Sequence, residues 1–134
     1  MSARSKARKR ALDLIYASEM RGRSALEALD EHAESTPVND YTTELVHGVT
    51  EHQARLDEVI ASYVKGWTLD RMPAVDRNVL RLATYEVLYV DDVPDAVAVS
   101  EALNLVRDLS TDESPAFVNG VLGNIVRDRE LLVG

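Results

Sequence analysis

The stretch Asp76-Arg77-Asn78-Val79-Leu80-Arg81-Leu82-Ala83-Thr84-Tyr85-Glu86-Val87-Leu88-Tyr89-Val90, with Pro73 before it and Pro94 after it, decides the fold. From Val79 onward its apolar residues surround a helix axis instead of lining one side of it. A helix apolar on every side is a buried helix. The β-branched and aromatic content would also suit a buried strand, but the run is too long for one and helical patterns flank it. The reading is a central helix against which the others pack. Glu86 lies within it and requires a partner, because burying a lone carboxylate costs several kcal/mol or more. No second acid or histidine stands at helical spacing beside it, so it reads as a structural contact and not as a catalytic group.

Working outward, residues 4–20 predict a helix with Ala7, Ala11, Leu14 and Ile15 on its apolar face, ended by Gly22. Ser24 caps a short second helix, and Ser35-Thr36-Pro37 marks a loop. Asn39 caps the longest helix, which runs to Lys65-Gly66 and spans about 40 Å at 1.5 Å per residue. Gly48 inside it suggests a close helix crossing, since glycine there costs about 1 kcal/mol against alanine. His47 and His52 face different sides and form no metal pair. Trp67 to Met72 reads as a connector. Asp92 is the expected cap of the helix through Ala98, Ala102 and Val106, with Pro94 at its first position. Ser114-Pro115 is a second cap-and-proline pair, opening a helix with Phe117, Val121 and Ile125. Gly120 and Gly123 on that helix imply that backbone approaches backbone. The pattern is all-α, with six or seven helices and no repeat.

With 134 residues the chain is expected to form one domain, 1–134, able to bury a core without disulfides or metal. It has no cysteine, which removes thiol nucleophiles and cysteine zinc sites and fits a reducing compartment. No apolar run approaches the ~20 residues needed to span a bilayer, and no secretion signal is present, so a cytoplasmic protein is expected. The net charge of −8 conceals an asymmetry: Arg4, Lys6, Arg8, Lys9 and Arg10 precede any acid, whereas past residue 23 there are 8 basic and 21 acidic residues. A basic arm on an acidic body points to two partners of opposite charge. Cations in the first turns also oppose the helix dipole, which a phosphate ligand would correct.

No phosphate loop, dinucleotide fingerprint, nucleophile elbow or zinc-binding helix occurs, so an enzyme is not expected, nor a cofactor or bound metal. What remains is a binding module. Tyr16 on the basic helix and Phe117 at the start of the last one are candidates for stacking on bases, and cations mixed with aromatic faces suit single-stranded RNA.

Three runs also resemble a known family. Ala7-Arg8-Lys9-Arg10-Ala11-Leu12-Asp13-Leu14-Ile15-Tyr16, the central Asp76 to Glu86, and Phe117-Val118-Asn119-Gly120-Val121-Leu122 are similar to N-utilization substance B (NusB), as are Asp92-Val93-Pro94 and Ser100-Glu101-Ala102. The resemblance implies an all-α fold of two three-helix bundles packed around a shared buried central helix. It implies transcription antitermination in the elongation complex, supporting ribosomal RNA transcription by binding boxA RNA together with the ribosomal protein NusE. Carried over by position, the RNA side is the basic helix with Arg8, Arg10 and Tyr16, plus Phe117 and its preceding loop, and the charge pattern adds Arg4, Lys6 and Lys9 to that helix's RNA-binding candidates. The NusE side comprises Asp76, Arg77 and Arg81. Ala116 stands where some relatives carry a basic residue, which removes one expected RNA contact. Similar proteins include monomers and homodimers, and the sequence selects neither. Two rivals are the non-catalytic domain that precedes some RNA cytosine methyltransferases, for which this chain has no catalytic part, and a helical protein adaptor.

Overall fold

The computed structural model describes residues 2–66 and 68–133, all helix, turn and loop with no strand among them. Trp67, assigned above to the connector, lies outside the described residues. The chain divides into two compact units, Met1–His52 and Gln53–Gly134.

The first unit holds α1 (Ala3–Met20), α2 (Ala25–Ser35) and the leading half of α3 (Asp40–Tyr63). Gly22, at φ +63°, ends α1: its N–H reaches Glu19 O at 3.2 Å and the Arg23 N–H reaches Ser18 O at 2.9 Å. A residue with a side chain would resist that left-handed backbone, so glycine sets the turn. Ser24 Oγ then accepts from the Leu26 N–H at 3.2 Å and Asn39 Oδ1 from the Tyr41 N–H at 2.7 Å, as expected of caps. Ala7, Ala11, Leu12, Ile15, Leu29, Leu45 and Val49 are buried, and Thr42 Oγ1 donates to Ala7 O at 3.0 Å. Leu14 is only half-buried.

The second unit contains the rest of α3, a 3₁₀ turn at Leu69–Arg71, α4 (Ala74–Tyr89), α5 (Asp95–Leu109), α6 (Ser114–Arg127) and the single turn α7 (Arg129–Leu132). Every residue of α4 from Asn78 to Leu88 is buried, as its all-round apolar pattern requires. Within the unit, α5 and α6 cover α4 and each other. Glu86 is 2% exposed, and Thr84 Oγ1 is the one buried side-chain polar atom among the described residues that lacks a hydrogen-bond partner. Arg129 fastens α7 by donating to Val87 O at 3.0 Å and pairing with Asp95 at 3.6 Å.

Two expected caps differ. Pro94 occupies the cap position of α5 and Asp95 opens the helix, so the helix begins one residue later than expected. Ser114 is the first residue of α6, after Glu113, and its hydroxyl caps nothing. Gly120 and Gly123 face open space: a Cβ on either would meet nothing within 4 Å, so no backbone crosses there.

Candidate nucleic-acid interface

The basic helix sorts its five cations by what each touches. Ser2 caps α1, its Oγ accepting from the Ser5 N–H at 3.0 Å, and the first turn carries no acid. The guanidinium carbons of Arg4 and Arg8 lie 4.3 and 5.5 Å from the ring centroid of Tyr41, and Arg8 and Tyr41 are only 4% and 5% exposed. A desolvated cation over an aromatic face contributes up to about 2 kcal/mol, so these arginines fasten α1 to α3. Arg8 is therefore an internal residue in the free chain. Lys9 pairs with Asp13 at 3.0 Å, which offsets its charge. Lys6 and Arg10 are exposed, one turn apart, and no acid among the described residues pairs with either.

Lys6 and Arg10 also border a cleft of about 360 Å³ whose other polar lining is His32, Thr36, Asn39 and Thr42. Tyr16, 37% exposed, lies seven residues from Lys9 and thus on its face. The accessible face of α1 thus offers two uncompensated cations, one paired lysine and one aromatic edge.

Phe117 belongs to the second unit and is half-buried on the first turn of α6, its N–H reaching Glu113 O at 3.2 Å. It is neither a fully exposed stacking platform nor a closed core residue. Ala116 beside it is exposed and adds no charge. The loop before it is fixed from below: Asp76 Oδ1 accepts from Ser110 Oγ at 2.7 Å and Oδ2 from Ser114 Oγ at 2.9 Å. Ser114 Oγ also accepts from the Thr111 N–H at 3.2 Å and stands 2.8 Å from Thr111 Oγ1.

The three residues expected to face a protein partner are mostly turned inward in the free chain. Asp76 is 2% exposed and accepts one hydrogen bond on each oxygen from the two serines. Arg81 is 8% exposed, donating to both oxygens of Asp57 at 2.7 and 3.0 Å and to Asn78 Oδ1 at 3.1 Å. Arg77, half-buried, donates to Leu69 O at 3.0 Å and Met72 O at 3.3 Å, and its pKa is lowered by burial and by the neighbouring Arg81. These are the ties of a buried helix end.

The sequence reading missed Tyr41, Asp57, Ser110 and Thr111 as partners of the residues it named. Only Ser110 and Ser114, four apart across a loop opposite a buried acid, left a signal. No cluster of metal-ligating side chains occurs among the described residues, and no helix is long and apolar enough to cross a membrane.

Known proteins place this geometry. The NusB family profile matches residues 5–127. The transcription antitermination protein NusB of Nocardioides sp. (strain ATCC BAA-499 / JS614) is 69% identical over 134 residues, covering 98% of this chain and 99% of its own. Among solved structures, NusB of T. maritima superposes with a TM-score of 0.86 at 31% identity, over 96% of this chain and 93% of its own. The crystal structure of antitermination factors NusB and NusE with double-stranded RNA gives a TM-score of 0.81 at 26% identity, over 92% of this chain and 96% of the matched one. With a family match across nearly its whole length, an all-α fold superposing on solved NusB structures and an uncompensated basic face on its first helix, the chain belongs to the NusB family.

Proposed function

We propose that the chain is a non-catalytic transcription antitermination factor that binds single-stranded boxA RNA together with NusE, within the transcription elongation complex in the cytoplasm, and so supports ribosomal RNA transcription. The observation that carries the reading is the pair Lys6 and Arg10, exposed and uncompensated on the first turns of a chain with net charge −8. Two cations one turn apart suit successive phosphates, and nothing in the fold uses their charge. Tyr16 on the adjoining face and Phe117 on α6 supply aromatic surface for bases. The solved complex of relatives with NusE and RNA supports the choice of partners. Relatives that bear the antitermination name over nearly their full length favour it over the domain of an RNA cytosine methyltransferase.

The test is a titration with boxA RNA, a scrambled strand and a boxA duplex at several salt concentrations. Preference for the boxA strand is expected. If Lys6 and Arg10 each neutralise one phosphate of a single strand, Lys6→Ala/Arg10→Ala should lower the log–log salt slope by about 1.4. Arg8→Ala should leave the slope unchanged and lower the melting temperature. Equal binding of boxA and scrambled RNA would reject the reading. Light scattering at two ionic strengths separates a monomer from a homodimer.

A further inference from the structure

Asp76 is a buried carboxylate whose two oxygens join three helices. It sits in the first turn of α4. Its Oδ1 accepts a hydrogen bond from the hydroxyl of Ser110, the residue that ends α5, and its Oδ2 accepts one from the hydroxyl of Ser114, the residue that begins α6. The bonds are 2.7 and 2.9 Å long, and Asp76 is 2% exposed.

The proton accounting at Ser114 closes. A serine hydroxyl has one proton to give and two lone pairs to fill. The proton goes to Asp76, and the lone pairs accept from the Thr111 N–H at 3.2 Å and from Thr111 Oγ1 at 2.8 Å. Ser110 Oγ, 3.1 Å away, is then occupied by its own bond to Asp76. Both ends of the Ser110 to Glu113 loop are thereby tied to one carboxylate, and Thr111 inside the loop is tied to the same hydroxyl.

A buried anion also gains from its position, since it lies at the N-terminal turns of α4 and α6, where helix dipoles favour negative charge. Replacing it by a neutral acceptor would forfeit that attraction. The segment so held leads directly into Phe117, three residues after Ser114.

We infer that Asp76 is a positioning residue for RNA binding: through Ser110 and Ser114 it presets the α5–α6 loop and the first turn of α6, and thereby the placement of Phe117. The inference rests on the reading of Phe117 as part of the RNA face. Its physical content is preorganisation. A loop already fixed in the free protein loses less conformational freedom when RNA binds, so affinity rises without any new contact.

Charge and positioning predict opposite signs, which makes the inference testable. Deleting a negative charge near bound RNA should strengthen binding if charge alone matters. Loosening the loop should weaken it.

The experiment measures boxA RNA affinity for wild type, Asp76→Ala, Asp76→Asn, Ser114→Ala and Phe117→Ala at a temperature well below each melting point, with amide exchange followed across residues 110–117. Asp76→Ala should weaken RNA binding about tenfold, the equivalent of ordering one or two side chains. Exchange in the loop should rise, while the salt slope set by Lys6 and Arg10 stays unchanged. Asp76→Asn should retain most of the affinity, because its amide oxygen still accepts from Ser110 and its nitrogen can donate to Ser114 once the Ser114 hydroxyl turns its proton to Thr111 Oγ1. Should Asp76→Ala fail to fold, Ser114→Ala cuts the same tie with the carboxylate still in place and carries the same expectation.

If Phe117→Ala weakens RNA binding while Asp76→Ala and Ser114→Ala leave it unchanged or tighter, the positioning role is overturned and the RNA face stands. If Phe117→Ala itself has no effect, the RNA face is misplaced and the inference falls with it.

Discussion

Tyr63 donates its hydroxyl to Asp128 Oδ2 at 2.7 Å, and Arg127 reaches both oxygens of the same carboxylate at 3.1 Å. The Arg127 bond, then that of Tyr63, holds the Asp128 carboxyl below the usual carboxylate range, while the bond to Asp128 raises the Tyr63 phenol. The signs follow. The Asp128 contribution to stability is present above about pH 4 and is lost as pH falls through the depressed native value, because the unfolded chain binds the proton first. The Tyr63 contribution is present below about pH 10 and is lost as pH rises through the raised native value. Tyr63→Phe should therefore flatten both limbs of the stability–pH curve relative to wild type, as measured by urea midpoints from pH 3 to 11. Parallel curves would show that the bond carries no stability. At this scale the sequence is least legible. Arg8 and Arg10 are the same residue two positions apart, yet one stacks on a buried tyrosine and the other faces solvent. Charge identifies a cation but not its neighbour, and Tyr41 lies on another helix. Asp76 and Arg81 escaped in the same way, since a pattern of apolar residues marks a buried helix without saying how its charges are satisfied.

Among the elements, α1 to α6 were readable because periodicity and punctuation agreed. Gly22, Ser24 and Asn39 do what their local chemistry predicts. Ser114 does not, because its hydroxyl serves a buried carboxylate instead of its own helix. A tertiary demand of that kind outweighs a cap contributing about 1 kcal/mol. The glycines of α6 show the reverse error, in which a residue read as a packing device has open space around it. Gly120→Ala and Gly123→Ala should each stabilise the protein by up to about 1 kcal/mol, since helical backbone favours alanine and no neighbour is displaced. Chemical denaturation of the two single variants and the double is the measurement, and a loss of stability in either would mean that the helix requires glycine after all.

For the whole molecule, an acidic body joined to a basic first helix sets up competition between repulsion and attraction toward RNA. RNA affinity of the lone protein should be modest. A basic partner bound to the acidic surface would relieve the repulsion and add phosphate contacts of its own, so the two ligands should be coupled. Coupling of about 1–3 kcal/mol would raise boxA affinity roughly 5- to 150-fold at saturating NusE, and NusE affinity by the same factor when RNA is bound. Titrations in both orders test this, and unequal factors or no change would reject it. The all-α class and the existence of a basic face were legible, because both are properties of composition and period. The burial of the charged residues on α4 was not legible, since Asp76 is 2% exposed.

The burial of α4 has a consequence for how the chain is made. Its residues leave the ribosome well before α5 and α6, which cover it within the second unit. Until α6 has also emerged, a helix apolar on every side remains uncovered on that flank in the nascent chain. Transiently exposed surface of this kind is what aggregates and what chaperones bind. A delay after α4 has emerged and before α5 and α6 have followed it would thus hold the protein in its most adhesive state, so the tempo of synthesis and release of the last two long helices bears directly on the yield of folded protein.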